Sequence, residues 1–281
     1  MSFWGVYGLL IEMLIILHTY TVVKAGCRYT LTCDRSPLMQ GSERHGLVTA
    51  KKDHSCFRTM AINVIVIITI ALMSVVLRIF YVIYCSSKPI QTKSTKPVST
   101  LIILGSGGHT AEMLNLLSVL QADRFYPRYY IAAATDNMSL QKASVFENQL
   151  ADKVIGGRMG ENAQFMQIYR SREVGQSYVT SIGTTIFAVA HALLLMMKIK
   201  PQVILCNGPG TCIPLCAIAF FFKVLGIRWS SIFYVESIAR VKRLSLSGII
   251  LYKLHMADQL FVQWPQLQRK YPRAHYVGRL M

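Results

Sequence analysis

Val98-Ser-Thr-Leu-Ile-Ile-Leu104-Gly105-Ser106-Gly107-Gly108-His109-Thr110-Ala111-Glu-Met-Leu-Asn-Leu-Leu-Ser-Val-Leu120 is the stretch that decides the fold. Val98–Leu104 is a continuous run of the kind that forms a strand buried on both faces. A glycine-rich turn follows, and Ala111–Leu120 then carries apolar residues at helical spacing. Strand, tight turn and helix in that order open a Rossmann-like α/β domain.

The same alternation continues to the end of the chain. Strands are expected at Tyr129–Ala134, Phe165–Tyr169, Val203–Cys206, Ser231–Val235, Gln259–Val262 and Tyr276–Val277. Helices are expected at Leu140–Leu150, Tyr178–Lys198, Cys212–Val224 and Leu246–Leu254, with a last short one from Trp264-Pro265. Strands alternating with helices imply a single doubly wound parallel sheet, with its ligand site at the carboxyl ends of the strands. The turns after the first, fourth and fifth strands are therefore the ones that carry chemistry. Tyr178–Lys198 and Cys212–Val224 are apolar enough to touch lipid, but core burial is the simpler reading.

Upstream lies a different kind of segment. Ala61–Tyr84 is apolar throughout except for Arg78, which is near enough to its end to snorkel. About 20 such residues cross a bilayer core, so 61–85 is read as a transmembrane helix rather than a buried core helix. Lys88, Lys93 and Lys96 flank it within a polar tether, residues 86–97, as expected if the folded part is cytosolic. Basic residues stand on both sides, so charge alone leaves topology open. Phe3–Val23 is a second hydrophobic segment, interrupted by Glu12 and His18; it could be a span, a signal-like segment or an interfacial helix. Lys24–Arg58 shows no periodicity and reads as a disordered loop. Residues 1–60 form an N-terminal extension, and residues 98–281 the folded lobe.

Composition narrows the partners. Of 281 residues, 53% are hydrophobic and 15% charged, and the formal net charge is +17. The charged share is well below the roughly 25% of an ordinary soluble domain. The basic residues are dispersed, without a basic helix or zinc-finger spacing, which argues against nucleic acid and for a membrane surface or a phosphate-bearing substrate. The seven cysteines include no CxxC pair, so neither zinc nor a disulfide framework is indicated. Cys206, Cys212 and Cys216 read as core packing. Metal and cofactor are both expected to be absent.

Four motifs carry candidate chemistry. Gly105-Ser106-Gly107-Gly108-His109-Thr110 is neither a Walker motif nor a complete GxGxxG. Its glycines allow close backbone approach to a ligand, and the helix start offers free amides to an anion. His109 is either a general base, favoured in its neutral form by the helix N-terminus, or a residue that only hydrogen-bonds the turn. Asn207-Gly208-Pro209-Gly210-Thr211 is a second such turn after strand four, and two on one sheet edge make a crevice. Glu236, in Tyr234-Val235-Glu236-Ser237, would point a carboxylate into that crevice to hold sugar hydroxyls or accept a proton; otherwise it caps a helix. Arg172, after strand three, could grip a diphosphate or pair with Glu173 at the surface. Arg240, Lys242 and Arg243 could face phosphates or form a solvated loop. No Asp-x-Asp occurs, so a nucleotide-sugar enzyme of this sequence would work without a protein-held metal clamp.

These residues resemble a known family. Leu101–Leu114, Ser171-Arg172-Glu173-Val174, Leu205–Thr211, Tyr234–Ser237, Val262-Gln263-Trp264-Pro265 and Tyr276-Val277-Gly278-Arg279 follow, in order, the motifs of the membrane-anchoring subunits of the dolichol-linked UDP-N-acetylglucosamine transferase. The resemblance covers roughly residues 98–281; residues 1–59 lie outside the family's usual single N-terminal anchor. It implies one lobe of a two-lobed glycosyltransferase. Such a lobe binds dolichyl-diphosphate N-acetylglucosamine at the cytosolic face of the endoplasmic reticulum and recruits a soluble catalytic subunit that binds UDP-N-acetylglucosamine. The complex adds the second N-acetylglucosamine of the N-glycan precursor, and the preceding enzyme of the pathway is a further candidate partner.

By the same resemblance His109 is the candidate base, with Glu236 the runner-up. Gly105, Ser106, Gly107, Gly108, Thr110, Arg172, Asn207, Gly208, Gly210 and Thr211 would bind acceptor or phosphate. Tyr276, Val277, Gly278, Arg279 and Leu280 would hold the partner. Independently, residues 98–281 make one lobe's worth of chain, so a donor lobe must come from elsewhere. The alternatives are a non-catalytic scaffold that only tethers the partner, or a self-sufficient membrane-bound nucleotide-binding enzyme. The missing second lobe and the incomplete dinucleotide fingerprint count against the latter.

Overall fold

Among the described residues, seven short strands, most of them apolar, build one parallel sheet. The computed structural model describes residues 45–86, 96–153, 163–169, 178–208 and 210–279. The strands are β1 (Thr100–Ile103), β2 (Arg128–Ala133), β3 (Gln164–Ile168), β4 (Val203–Asn207), β5 (Ser231–Val235), β6 (Gln259–Val262) and β7 (His275–Tyr276), in the spatial order β3-β2-β1-β4-β5-β6-β7. Every pairing is parallel. The order runs outward from β1 in one direction through β3, then in the other from β4, so the reversal falls between β1 and β4. There Ile103 lies opposite Cys206, and the two glycine-rich turns that follow these strands emerge side by side. In doubly wound sheets this is where a crevice opens.

Alternation along β1 sorts the core into two layers. Ile102 and Leu104 pack with Met113, Leu117, Tyr130 and Leu205 on one face. That face is covered by α2 (Gly108–Val119) and α3 (Asn137–Lys153). Leu101 and Ile103 pack on the other with Met196, Leu215, Ala219, Phe222 and Leu251, under α4 (Tyr178–Ile199), α5 (Cys212–Leu225) and α6 (Leu246–Lys253). A short α7 (Pro265–Lys270) packs on β6 and β7. The apolar helices are core elements on one side only. Cys212, Leu215, Cys216 and Phe222 of α5 are buried, whereas Ile186, Phe187 and Leu194 of α4 are exposed.

Two buried cations are paired with carboxylates. Lys223 of α5, fully buried, is bonded to Asp258 just before β6, and the same carboxylate oxygen accepts the amide of Ile232 at 2.6 Å. Burial draws the Lys223 pKa down, against the pull of Asp258. Arg128 and Glu147 pair at 2.8 Å and join β2 to α3.

The first helix among the described residues, α1 (His45–Ser86), begins well before the expected span. The aperiodic reading of residues 24–58 is therefore corrected for 45–58. No proline interrupts the chain between Pro37 and Pro89, and a helix nucleated in the apolar stretch extends backwards at little cost per residue. Within it, Met60–Ser86 is 27 residues long, with an unburied apolar window, and is long and apolar enough to cross a membrane. At about 1.5 Å per residue it exceeds the roughly 30 Å of a bilayer core. The chain divides into two compact units, residues 1–74 and 75–281. Within the second, Arg78 does not simply extend into solvent: its Nε donates to the Val224 carbonyl at 3.2 Å, at the carbonyl-rich end of α5. The expected segment at Phe3–Val23 and most of the tether lie outside the described residues.

Candidate active site

The site is assembled from the strand ends at the point of reversal. After β1 the chain reaches Gly105, whose carbonyl is held by Thr110 Oγ1 and lies 3.0 Å from Ser139 Oγ. Ser139 is in turn fixed by Asp136 through Oδ2 at 2.7 Å. Thr110 is fully buried in this clamp, so its hydroxyl faces the protein and shapes the turn rather than meeting a ligand. Gly107 stands at φ +62°, ψ −118° as the N-cap of α2, with no side-chain cap. A residue with a β-carbon is strained there. Ser106, Gly107 and Gly108 are exposed, and the first turn of α2 holds no acid. Its unpaired amides and the positive end of the helix therefore face open space, where an anion is stabilised.

His109, half-buried, is the next residue. Its Nδ1 lies 3.1 Å from Asn207 Oδ1, at the end of β4. The imidazole lies against Gly208, itself at φ +69°. Asn207 is buried, and its Nδ2 donates to Glu112 Oε2 at 2.8 Å. The other oxygen of Glu112 accepts from Ser237 Oγ at 2.7 Å. One chain of bonds thus ties the histidine, the end of β4, the middle of α2 and the loop after β5.

That loop is built around Glu236, which is wholly buried rather than directed into the crevice. Its Oε2 accepts from the amide and hydroxyl of Ser245, at 2.9 and 3.1 Å, and its Oε1 from the amide of Ser237 at 3.2 Å. Ser245 also caps α6 by accepting from the Gly248 amide at 3.1 Å. Burial pushes the Glu236 carboxyl above its ordinary value, partly offset by these bonds and by Arg240. The loop closes onto β6 through Gln263 Nε2 to the Glu236 carbonyl at 3.1 Å and Trp264 Nε1 to the Ile238 carbonyl at 2.7 Å. Arg240, Lys242 and Arg243 are exposed along it.

The remaining sequence candidates are dispersed. Gly210 is exposed, while Thr211, at the start of α5, has a buried hydroxyl with no hydrogen-bond partner. Arg172 and Leu280 lie outside the described residues. Tyr276, Val277, Gly278 and Arg279 lie at the β7 edge of the sheet; Tyr276 and Val277 are exposed, and the Arg279 guanidinium sits 4.7 Å from the Trp264 ring centre. Glu112 and Ser237 are the participants that motif reading passed over. Glu112 stands three residues after His109 on the same helix face, a spacing that could have signalled it.

Among the described residues, Cys206, Cys212 and Cys216 form the group of potential metal ligands, their sulfurs within 4.8 Å of one another. Three thiols would suit a soft ion. Burial pushes the Cys206 thiol well up, which favours the neutral form that packs in a core.

Comparison with known proteins places the sheet domain. Residues 100–280 match the family model described as oligosaccharide biosynthesis protein Alg14 like. The human UDP-N-acetylglucosamine transferase subunit ALG14 is 44% identical over 184 residues, covering 66% of this chain and 83% of the relative. The Yarrowia lipolytica protein of the same name is 39% identical over 225 residues, 79% of this chain and 100% of the relative. The Candida albicans one is 38% identical over 227 residues, 79% and 98%. Among solved structures, MurG of Acinetobacter baumannii overlaps 65% of this chain and 45% of its own, with a TM-score of 0.43 and 17% identity, a likeness too distant to bear on function. With the matched region spanning all seven strands and both glycine-rich turns, this chain belongs to the Alg14-like family of oligosaccharide biosynthesis proteins.

Proposed function

We propose that this chain is the membrane-anchoring, acceptor-binding subunit of a UDP-N-acetylglucosamine transferase. Its relatives are named as subunits of such an enzyme. The acceptor is dolichyl-diphosphate N-acetylglucosamine, and the folded domain works on the cytosolic face of the endoplasmic reticulum membrane. A soluble partner carries UDP-N-acetylglucosamine and docks at the C-terminal edge, residues 276–280. The helix Met60–Ser86 supplies the anchor.

The observation that carries the reading is the half-buried His109 imidazole, bonded through Nδ1 to Asn207 beside the uncapped N-terminus of α2. Its second nitrogen, Nε2, is the atom left for an acceptor hydroxyl. In transfer, that hydroxyl oxygen attacks the anomeric carbon of the donor sugar. The bond from that carbon to UDP breaks with the electron pair leaving on UDP, and the hydroxyl proton passes to His109 Nε2. The amides of Gly107–His109, with Ser106, hold the acceptor diphosphate. Glu236 instead shapes the loop beneath Ser237.

The test is transfer by the co-purified complex, with labelled UDP-N-acetylglucosamine and a lipid-diphosphate N-acetylglucosamine acceptor. His109→Ala is expected to lower turnover by about 10²–10⁴-fold while the partner still co-purifies. Undiminished transfer by an intact complex would reduce the chain to a tether.

A further inference from the structure

We infer that Glu112, acting through Asn207, fixes the tautomer of His109 and so makes it a positioning residue for the base; this rests on the role proposed for His109. Imidazoles and carboxamides are ambiguous at a contact, since each offers either a donor or an acceptor. An ionised carboxylate is not ambiguous, because it only accepts. Both oxygens of the buried Glu112 are engaged, Oε2 by Asn207 at 2.8 Å and Oε1 by Ser237 Oγ at 2.7 Å. Ser237 Oγ also accepts from the Ala239 amide at 3.3 Å, which leaves its hydrogen for Glu112.

The consequence passes along the chain of bonds. With its –NH₂ committed to the carboxylate, Asn207 presents its oxygen to His109. The contact at 3.1 Å is then a hydrogen bond only if Nδ1 carries the proton. A flipped amide would set oxygen against carboxylate and is excluded by repulsion. Neutral His109 is therefore the Nδ1–H form, the minor form of a free imidazole, and its Nε2 lone pair is bare. That lone pair is what a general base needs. An amide between carboxylate and imidazole transmits direction while keeping the full negative charge one residue away.

The tautomer can be read directly. Full-length chain, labelled with ¹⁵N-histidine and reconstituted in nanodiscs with its partner, is compared with His109→Gln to assign the signal. Nitrogen shifts showing Nδ1 protonated in the unsubstituted protein are expected. Glu112→Ala should move the signal toward Nε2–H and lower kcat by about a hundredfold, the low end of a general-base contribution, with KM little changed. Ser237→Ala, which leaves the Glu112–Asn207 bond in place, should keep the Nδ1–H form. An Nε2–H signal in the unsubstituted protein, or an unmoved signal in Glu112→Ala, overturns the inference. The unsubstituted spectrum decides it even if the Glu112 variant does not fold. Full transfer activity in His109→Ala would instead defeat the assignment of the base and leave the tautomer assignment standing.

Discussion

A β-carbon on Gly208 would stand 2.5 Å from Cε1 and 2.8 Å from Nδ1 of the His109 imidazole. The two glycine-rich turns are thus in van der Waals contact, and the absence of a side chain on one sets the position of the ring on the other. Gly208→Ala must displace that ring and also strain a backbone at φ +69°. The expected result is a transfer rate reduced by about a hundredfold, with a stability loss of only about 1–2 kcal/mol. Turnover and thermal unfolding of the same preparation check the pair; a large loss of stability with activity retained per folded molecule would contradict it.

Lys223 and Asp258 form a pair in which the ammonium is fully buried and the carboxylate nearly so. Lys223→Met leaves the carboxylate with the Ile232 amide as its remaining donor. Breaking such a pair costs about 3–5 kcal/mol, which denaturant unfolding would register. Adding Asp258→Asn should recover part of that loss, and the absence of any recovery would mean that packing rather than charge is at stake.

The raised carboxyl of Glu236 has a definite pH signature. Because its folded value lies above its unfolded one, the folded state binds the extra proton. The resulting stabilisation is complete below the unfolded carboxylate range and is lost as pH rises through the folded value. Glu236→Gln has no such proton. The stability of the unsubstituted protein relative to this variant should therefore decline from acid toward neutral pH. A difference that grows over this range would show the folded value to be depressed instead.

Cys206 should be chemically silent in the native state. Thiolate, not thiol, reacts with alkylating agents, and burial holds the Cys206 proton in place. Mass spectrometry after iodoacetamide treatment is expected to show Cys206 unmodified until denaturant is added. Rapid native labelling would disprove this.

The edge at β7 should serve capture rather than folding. Removing residues 277–281 takes away the exposed Val277 and the Arg279–Trp264 contact but spares Ala274, which is buried. The expected outcome is a membrane-bound chain with near-normal unfolding that no longer retains the soluble subunit in pull-down assays. Continued co-purification would move the docking surface elsewhere.

Much of this architecture was legible in the linear chain because it is written locally. Apolar runs located β1, β4 and β5 to within a residue or two, and Gly107 and Gly208 stand where positive φ is required. The reading faltered where a side chain's direction depends on distant partners. Thr110 reads as a ligand-facing helix start until Ser139 turns it inward. Glu236 reads as a crevice carboxylate until Ser245, the cap of α6, claims it. Glu112 was marked locally only by its spacing from His109, and its partner Ser237 lies 125 residues away. At the other end, the polar character of 45–58 concealed a helix that its apolar neighbour extends.

The sheet order places β1 beside β4, and His109 meets Asn207 from 98 positions away in the chain. During synthesis, the first turn leaves the ribosome with its histidine long before the asparagine that orients it exists. Pairings of this span form late and slowly. A nascent or truncated chain that ends before β4 holds the first glycine-rich turn without an oriented histidine, so the proposed site is complete only when the centre of the sheet closes. On the role proposed for His109, competence for transfer is a report on completed folding.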